Sequence, residues 1–292
     1  MTDILSQIIA HKKTEIEMQK QAVSAEHLLE QARAIMDESA TPRRSMKHSL
    51  AASSTGIISE FKRRSPSKGW ISEAARAEII PAAYEAAGAS ALSILTDEKF
   101  FGGSLRDIRA ARPLVSIPIL RKDFIIDEYQ LLQARIVGAD AVLLIAACLS
   151  REQCSTLTAQ AHALGMEVLL EVHTPAELSY IERETDMVGV NNRNLGSFVT
   201  DVENSFRIAE RLREAVNAAN PLTDKNDGNE LPLLVSESGI SRSETIRDLR
   251  AAGFRGFLIG ETFMKTEKPG DTLETFIRQT REPITSNLTH NL

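Results

Sequence analysis

Cysteine, histidine and tryptophan are scarce in this chain. Two cysteines, Cys148 and Cys154, stand among 292 residues. They are too few for a disulfide framework or a zinc site, and they suit a reducing, cytoplasmic setting. The six histidines, at positions 11, 27, 48, 162, 173 and 290, form no H-E-x-x-H or other ligand spacing, so no metal is expected. Long apolar runs are missing too: the longest, Ala141 to Leu149, has nine residues, against the roughly 20 that span a bilayer. It reads as a buried strand. Basic excess is also absent, since 34 Lys and Arg face 40 Asp and Glu for a net charge of −6, which leaves no footprint for a phosphate backbone. Neither nucleic acid nor a membrane is expected as a partner. Near the N-terminus, Asp3 and the lack of a compact apolar core indicate neither a secretory nor a transit peptide. What is present, 42% apolar and 25% charged residues, is the composition of a globular protein.

Up to about residue 48, Leu5, Ile8, Ile9 and Ile16, then Leu28, Leu29, Ala32, Ile35 and Met36, recur at helical spacing. This predicts two amphipathic helices, ended by the polar stretch around Pro42. Residues 1–48 therefore read as a helical extension and 49–292 as the catalytic domain. Beyond, a unit repeats in which a helix closes on Gly (Gly88, Gly138, Gly165, Gly253) and a short apolar strand follows. Ser150-x-x-Gln153, Thr174-Pro175-x-Glu177 and Ser241-x-x-Glu244 read as capping boxes at helix starts. Adding Ile57–Lys62, Ile117–Lys122, Met187–Asn191 and Leu233–Glu237 brings the strands to eight. The pattern predicts an α/β fold, a closed (β/α)8 TIM barrel with an N-terminal helical extension. An open doubly wound sheet is the alternative, but no G-x-G-x-x-G follows the first strand to favour it. The polar segment 220–230 reads as a surface-loop insertion before strand seven.

In a parallel barrel both strand faces are buried, so charge belongs at the open C-terminal mouth. Period-2 alternation puts Ile58, Glu60 and Lys62 on one face of the first strand. Strand three ends at Lys122, strand five at Glu171, strand six at Asn191 and strand seven at Glu237. Alternating Lys and Glu at one end of a barrel can tune one another for acid and base work. Ser238-Gly239 after strand seven and Gly260-Glu261-Thr262 after strand eight sit where many barrels bind phosphate through backbone N–H groups. Trp70 and Phe100-Phe101 fall in loops after strands, either as packing or as an apolar wall for an aromatic substrate. His173 reads as a polar loop residue.

Six segments now carry a resemblance: Ser59-Glu-Phe-Lys-Arg-Arg-Ser-Pro-Ser-Lys-Gly69, Ile94-Leu-Thr-Asp-Glu-Lys-Phe-Phe-Gly-Gly-Ser104, Leu120-Arg-Lys-Asp-Phe124, Leu170-Glu-Val-His173, Gly189-Val-Asn-Asn-Arg-Asn-Leu195 and Ser236-Glu-Ser-Gly-Ile240. In this order, from residue 1 to about 280, the chain resembles the indole-3-glycerol phosphate synthase family. The resemblance implies ring closure, decarboxylation and dehydration of 1-(2-carboxyphenylamino)-1-deoxyribulose 5-phosphate, a step of tryptophan biosynthesis, with no cofactor and no obligatory protein partner. It makes Lys122 the acid for ring closure, Glu171 the base for dehydration, and Lys62 the holder of the anthranilate carboxylate. It makes Glu60 the group orienting the lysines, and Asn191 and Glu237 holders of the ribulose hydroxyls and the developing ring. Ser65, Arg193, Gly239, Gly260 and the backbones of Ser238 and Glu261 would form the phosphate site. Phe101, Phe124, Pro66, Leu195 and Leu258 would line the aromatic pocket. Glu261 departs from the Ser or Thr frequent in the family, and its side chain is expected to stay out of the phosphate site. No second barrel follows, so a single activity is expected. A sugar-phosphate isomerase or Schiff-base aldolase with Lys122 as amine nucleophile is the rival enzyme reading. A non-enzymatic scaffold is the third reading, disfavoured because every charged mouth position is occupied.

Overall fold

Strand formation follows the Val, Ile and Leu runs, and eight parallel strands close into a barrel in the computed structural model, which describes residues 3–38, 43–194, 199–220 and 231–281. The strands are β1 (Ile57–Phe61), β2 (Ala91–Leu95), β3 (Ile119–Lys122), β4 (Ala141–Ile145), β5 (Glu167–Val172), β6 (Met187–Asn191), β7 (Leu233–Glu237) and β8 (Gly256–Ile259). Each pairs with the next and β8 pairs with β1. All eight expected strands form, and the barrel is the expected one. Alternation divides their side chains between two buried clusters. Ile58, Ala91, Leu120, Leu143, Leu169, Met187 and Val235 fill the barrel interior. Ile57, Leu92, Ile119, Val142, Leu170, Val188 and Leu234 join the cluster beneath the helices. Burying each such side chain contributes roughly 1.5–3 kcal/mol, which makes the register hard to slip. Gly138 ends the helix Glu128–Val137 in a left-handed conformation, φ 91°, and Gly88, Gly165 and Gly253 share that sign of φ.

The extension forms α1 (Ile4–Ala22) and α2 (Ala25–Glu38), the two expected helices. Asp3 caps α1 by accepting from Ser6 N at 2.9 Å. Tyr129 ties the end of α1 to the barrel, its hydroxyl donating to the carbonyls of Gln19 (3.1 Å) and Val23 (2.9 Å). Pro42 lies outside the described residues. A third helix, α3 (Met46–Ala52), was not expected: at seven residues it is too short for a periodic signal. Met46 and Leu50 join the interior cluster with Ile58, Ala91 and Leu120, and so close the barrel floor. Glu167 holds α3 there, accepting from Lys47 N at 2.9 Å and from Ser45 Oγ at 2.5 Å.

Two helix starts differ from the sequence reading. Thr174-Pro175 opens a 3-10 helix, Pro175–Tyr180, rather than an α-helix. The third capping box does not form, because the helix Ser243–Ala251 begins one residue later than that box requires, and Arg242, at its N-cap, makes no side-chain capping hydrogen bond. The left-handed pair Ser238 (φ 69°) and Gly239 (φ 81°) uses up the turn and leaves Ser241 on the wall of the barrel mouth. Residues 221–230 of the expected insertion lie outside the described residues. Among the described residues no helix is long and apolar enough to cross a membrane.

Candidate active site

The strand ends deliver their inward side chains to a cavity of about 530 Å³ at the C-terminal mouth. Glu60, Lys122, Glu171, Asn191 and Glu237, with Lys62 just past β1, all line it, as alternation requires. Lys122 Nζ stands at the centre, 2.8 Å from Glu171 Oε2 and 2.7 Å from Glu237 Oε2. Lys62 Nζ pairs with Glu60 Oε1 at 2.5 Å. Two glycines make room for the carboxylates. A Cβ on Gly189 would overlap Glu237 Oε1, and one on Gly260 would overlap Glu60 Oε1.

Burial opposes charge on Lys122, but Glu171, Glu237 and Glu60 overcome it, so its pKa lies above that of an ordinary lysine. Burial likewise opposes charge on Glu171, yet Lys122 and His173 hold it below the usual carboxylate range. Glu237 goes the other way. Burial, aided by repulsion from Glu171 and Glu60, outweighs Lys122 and pushes it up to about 7. Its Oε1 accepts no hydrogen bond from the described residues. Two carboxylates split in this way supply a proton donor and a proton acceptor, each one hydrogen bond from the same ammonium.

The cavity wall divides into an apolar and a polar side. Phe101 and Phe124, ring centroids 5.9 Å apart, form the apolar side with Pro66 and Leu258. Ile4, Leu5 and Ile8 of α1 reach the same cavity, so the extension supplies part of its wall. Trp70 does not line it. Half exposed, it stands over Arg64, 5.6 Å from guanidinium to ring, and against Gly102. On the polar side stand Arg193, Ser238, Gly239, Gly260 and Glu261. Asn192 secures the strained Ser238, its side-chain amide donating to Ser238 O and to Ser236 Oγ, both at 3.1 Å.

Several expectations need correction. Ser65 is buried and off the cavity wall, because it pairs in a short antiparallel hairpin, Arg64–Ser65 with Gly69–Trp70. The hairpin tip, Ser67 and Lys68, reaches the cavity instead. Arg193 Nη1 donates to Ser67 Oγ at 3.1 Å. The side chain of Glu261 does not stay out of the polar wall: it pairs with Lys68 and lies 3.9 Å from Arg193 Nη2. Burial opposes this charge, but Lys68, Arg193 and Lys62 hold its pKa below the usual range. His173 does follow β5 in the loop, but its ring is not simply a solvated polar group. Its Nε2 lies 3.2 Å from Glu171 Oε1. The alternation Leu169, Glu171, His173 could have disclosed it, whereas nothing in the sequence singles out Lys68 or Asn192. Leu195 lies outside the described residues.

The sequence profile described as indole-3-glycerol phosphate synthase matches residues 5–276. The chain belongs to the indole-3-glycerol phosphate synthase family. The indole-3-glycerol phosphate synthase of Bacteroides thetaiotaomicron is 61% identical over 278 residues, covering 95% of this chain and 99% of that protein. The synthase of Neisseria meningitidis serogroup C is 44% identical over 273 residues, covering 91% and 96%. Among solved structures, a mutant tryptophan synthase α-subunit from Pyrococcus furiosus superposes with a TM-score of 0.56 over 77% of this chain and 97% of its own. At 13% identity that likeness concerns the barrel fold alone. Family membership therefore rests on sequence.

Proposed function

We propose that the chain converts 1-(2-carboxyphenylamino)-1-deoxyribulose 5-phosphate to indole-3-glycerol phosphate, releasing carbon dioxide and water. The observation that carries the assignment of roles is Lys122, held charged between Glu171 and Glu237 beside an aromatic wall. In ring closure the arene carbon bearing the carboxylate attacks the ketone carbon, and the carbonyl electrons move to oxygen, which takes a proton from Lys122. Loss of carbon dioxide returns its bonding pair to the ring. Glu171 then removes a carbon-bound proton while the hydroxyl departs as water with a proton from a lysine. Glu171 can return its proton to Lys122, and solvent supplies the one proton that decarboxylation consumes. Lys62, paired with Glu60, is the cation for the anthranilate carboxylate. Asn191 and Glu237 hold the sugar hydroxyls.

The substrate phosphate goes to the polar wall, where Arg193 and the turns at Ser238-Gly239 and Gly260-Glu261 gather. Lys68, not expected from the sequence, adds a second cation, and Glu261 neutralises both until the phosphate arrives. The chain divides at about residue 48 into an extension and a catalytic barrel, and it works in the cytoplasm on a small phosphorylated molecule. An aldolase of the Schiff-base type needs a neutral amine, which the ion pairs of Lys122 oppose. Incubation with the anilino-ribulose phosphate while indole absorbance and fluorescence are followed tests the reading. Product formation is expected, and no signal at high enzyme concentration would overturn it. Covalent trapping of Lys122 by borohydride with substrate would favour the aldolase.

A further inference from the structure

Glu171 is gripped on both oxygens, and only one grip comes from the acid of the mouth. Lys122 Nζ lies 2.8 Å from Oε2, while His173 Nε2 lies 3.2 Å from Oε1. The histidine ring does not line the cavity, and its side chain is only 10% exposed. Its other nitrogen, Nδ1, lies 3.6 Å from Glu177 Oε2. That oxygen is itself fixed, accepting from His173 N at 2.6 Å and from Thr174 N at 3.3 Å. Neither ring nitrogen makes an aligned hydrogen bond, so the ring sits as a charge between two carboxylates rather than as a directed donor. Burial pushes the imidazole down, but Glu171 and Glu177 outweigh it and raise its pKa to about 10.

Resting on the assignment of Glu171 as the dehydration base, we propose that His173 is a positioning residue for that step. Wedged between Glu177 and Glu171, its ring aims Glu171 into the mouth and leaves it one cation after Lys122 has given up its proton. The need follows from the order of events. Once Lys122 protonates the ketone oxygen it becomes a neutral amine, and the buried Glu171 loses its nearest charge. A buried carboxylate without a cation takes up a proton and ceases to be a base. The groups facing Glu171 are Lys122 from β3, Cys148 from the turn after β4, Glu237 from β7 and His173 from its own segment; behind them, Glu60 from β1 faces Lys122 and Glu237, and Glu177 faces His173 and Cys148. Burial, with Glu171 and Glu177, pushes the Cys148 thiol up to about 12, so it stays neutral. His173 is the cation that remains.

The test is the pH dependence of kcat and KM for wild type and His173→Gln, with circular dichroism to establish folding. Loss of the imidazolium raises the proton affinity of Glu171, so the acid limb of kcat should move to higher pH by about one unit or more. The KM should change by less than about twofold, because the ring does not touch the cavity. Superimposable kcat profiles from an active wild type would overturn the proposal alone, as would a raised KM with unchanged kcat. Wild-type protein that makes no product would overturn the parent reading and this proposal with it. Should His173→Gln fail to fold, Glu177→Gln keeps the backbone acceptor and removes one of the two charges that hold the imidazolium. It should then bring an alkaline loss of kcat at lower pH than in wild type, and an unchanged alkaline side would overturn the proposal.

Discussion

Lys122 ends β3 and Asp123 opens the bend after it, and the two side chains enter two buried charge clusters with opposite fates. Lys122 enters the mouth. Asp123 also borders the cavity, but its carboxylate meets Lys12, which α1 carries into the protein with only 1% of its surface exposed. Lys12 Nζ lies 3.0 Å from Asp97 Oδ2, 3.1 Å from Asp123 Oδ1 and 3.0 Å from Glu15 Oε2. Asp123 also accepts from Thr96 Oγ1 at 2.6 Å and Arg121 Nη2 at 2.9 Å, and Asp97 accepts from Phe100 N at 2.8 Å. Both clusters pair lysine with buried carboxylates. They differ in how fully the carboxylates are served. Burial opposes charge on Asp123, but Lys12, Arg121 and Thr96 hold it below the usual range. Glu237, with one oxygen unpartnered, is pushed up instead. A satisfied cluster pins charge and fastens a helix, whereas an under-served one beside a cavity leaves protons free to move.

The largest expected effect breaks the mouth cluster alone. Lys122→Met should lower turnover by about 10²-fold or more, as loss of a general acid does, while circular dichroism and the melting transition stay those of a folded barrel. Turnover within about threefold of wild type would leave the two clusters without a functional difference. Glu171→Gln, nearly isosteric, should lose about 10²-fold in turnover and hold its substrate dissociation constant within about threefold. A large rise in that constant with normal single-turnover chemistry would make Glu171 a binding group.

Lys12→Met attacks the other cluster. Stranding buried carboxylates should lower the unfolding free energy by about 3–5 kcal/mol in urea titrations, with a smaller effect on turnover. Wild-type stability combined with slowed chemistry would move Lys12 into the functional cluster.

The smallest effect is one of sign. Glu237, whose pKa rises on folding, contributes stability below the ordinary glutamate value of 4.5 and loses it as pH rises through about 7. Asp123, whose pKa falls on folding, contributes above its ordinary value of 3.8 and loses that contribution on acidification. Glu237→Gln should therefore gain in melting temperature over wild type between pH 5 and pH 8. A constant difference across that range would mean that folding does not raise the Glu237 pKa.

Much of this was legible beforehand for a specific reason. Alternation is a local rule, so Glu60, Lys62, Lys122, Glu171, Asn191 and Glu237 could be assigned to one end of the barrel from strand parity, and the structure gathers them around one cavity. Glycine-closed helices marked four of the strands, and apolar runs the other four. Ser65 was misread because a two-residue hairpin pairing leaves no periodic trace, and α3 because seven residues make too few turns. Lys12 sits in the apolar stripe between Ile8 and Ile16, where only the distant Asp97 and Asp123 explain a charge.

The sequence by itself determined the order of eight strands and their helices, which side of each strand faces inward, and the charges at the mouth, since all of these follow from spacing along one chain. Only the tertiary structure decided which charges meet. Barrel closure brings Glu237 of β7 and Glu171 of β5 to the same ammonium, folds the Ser67-Lys68 tip across to Arg193 and Glu261, and lets α1 plant Lys12 beside β3. Proton affinities depend on burial and on charges a few ångströms away through space, and no spacing along the chain encodes those distances.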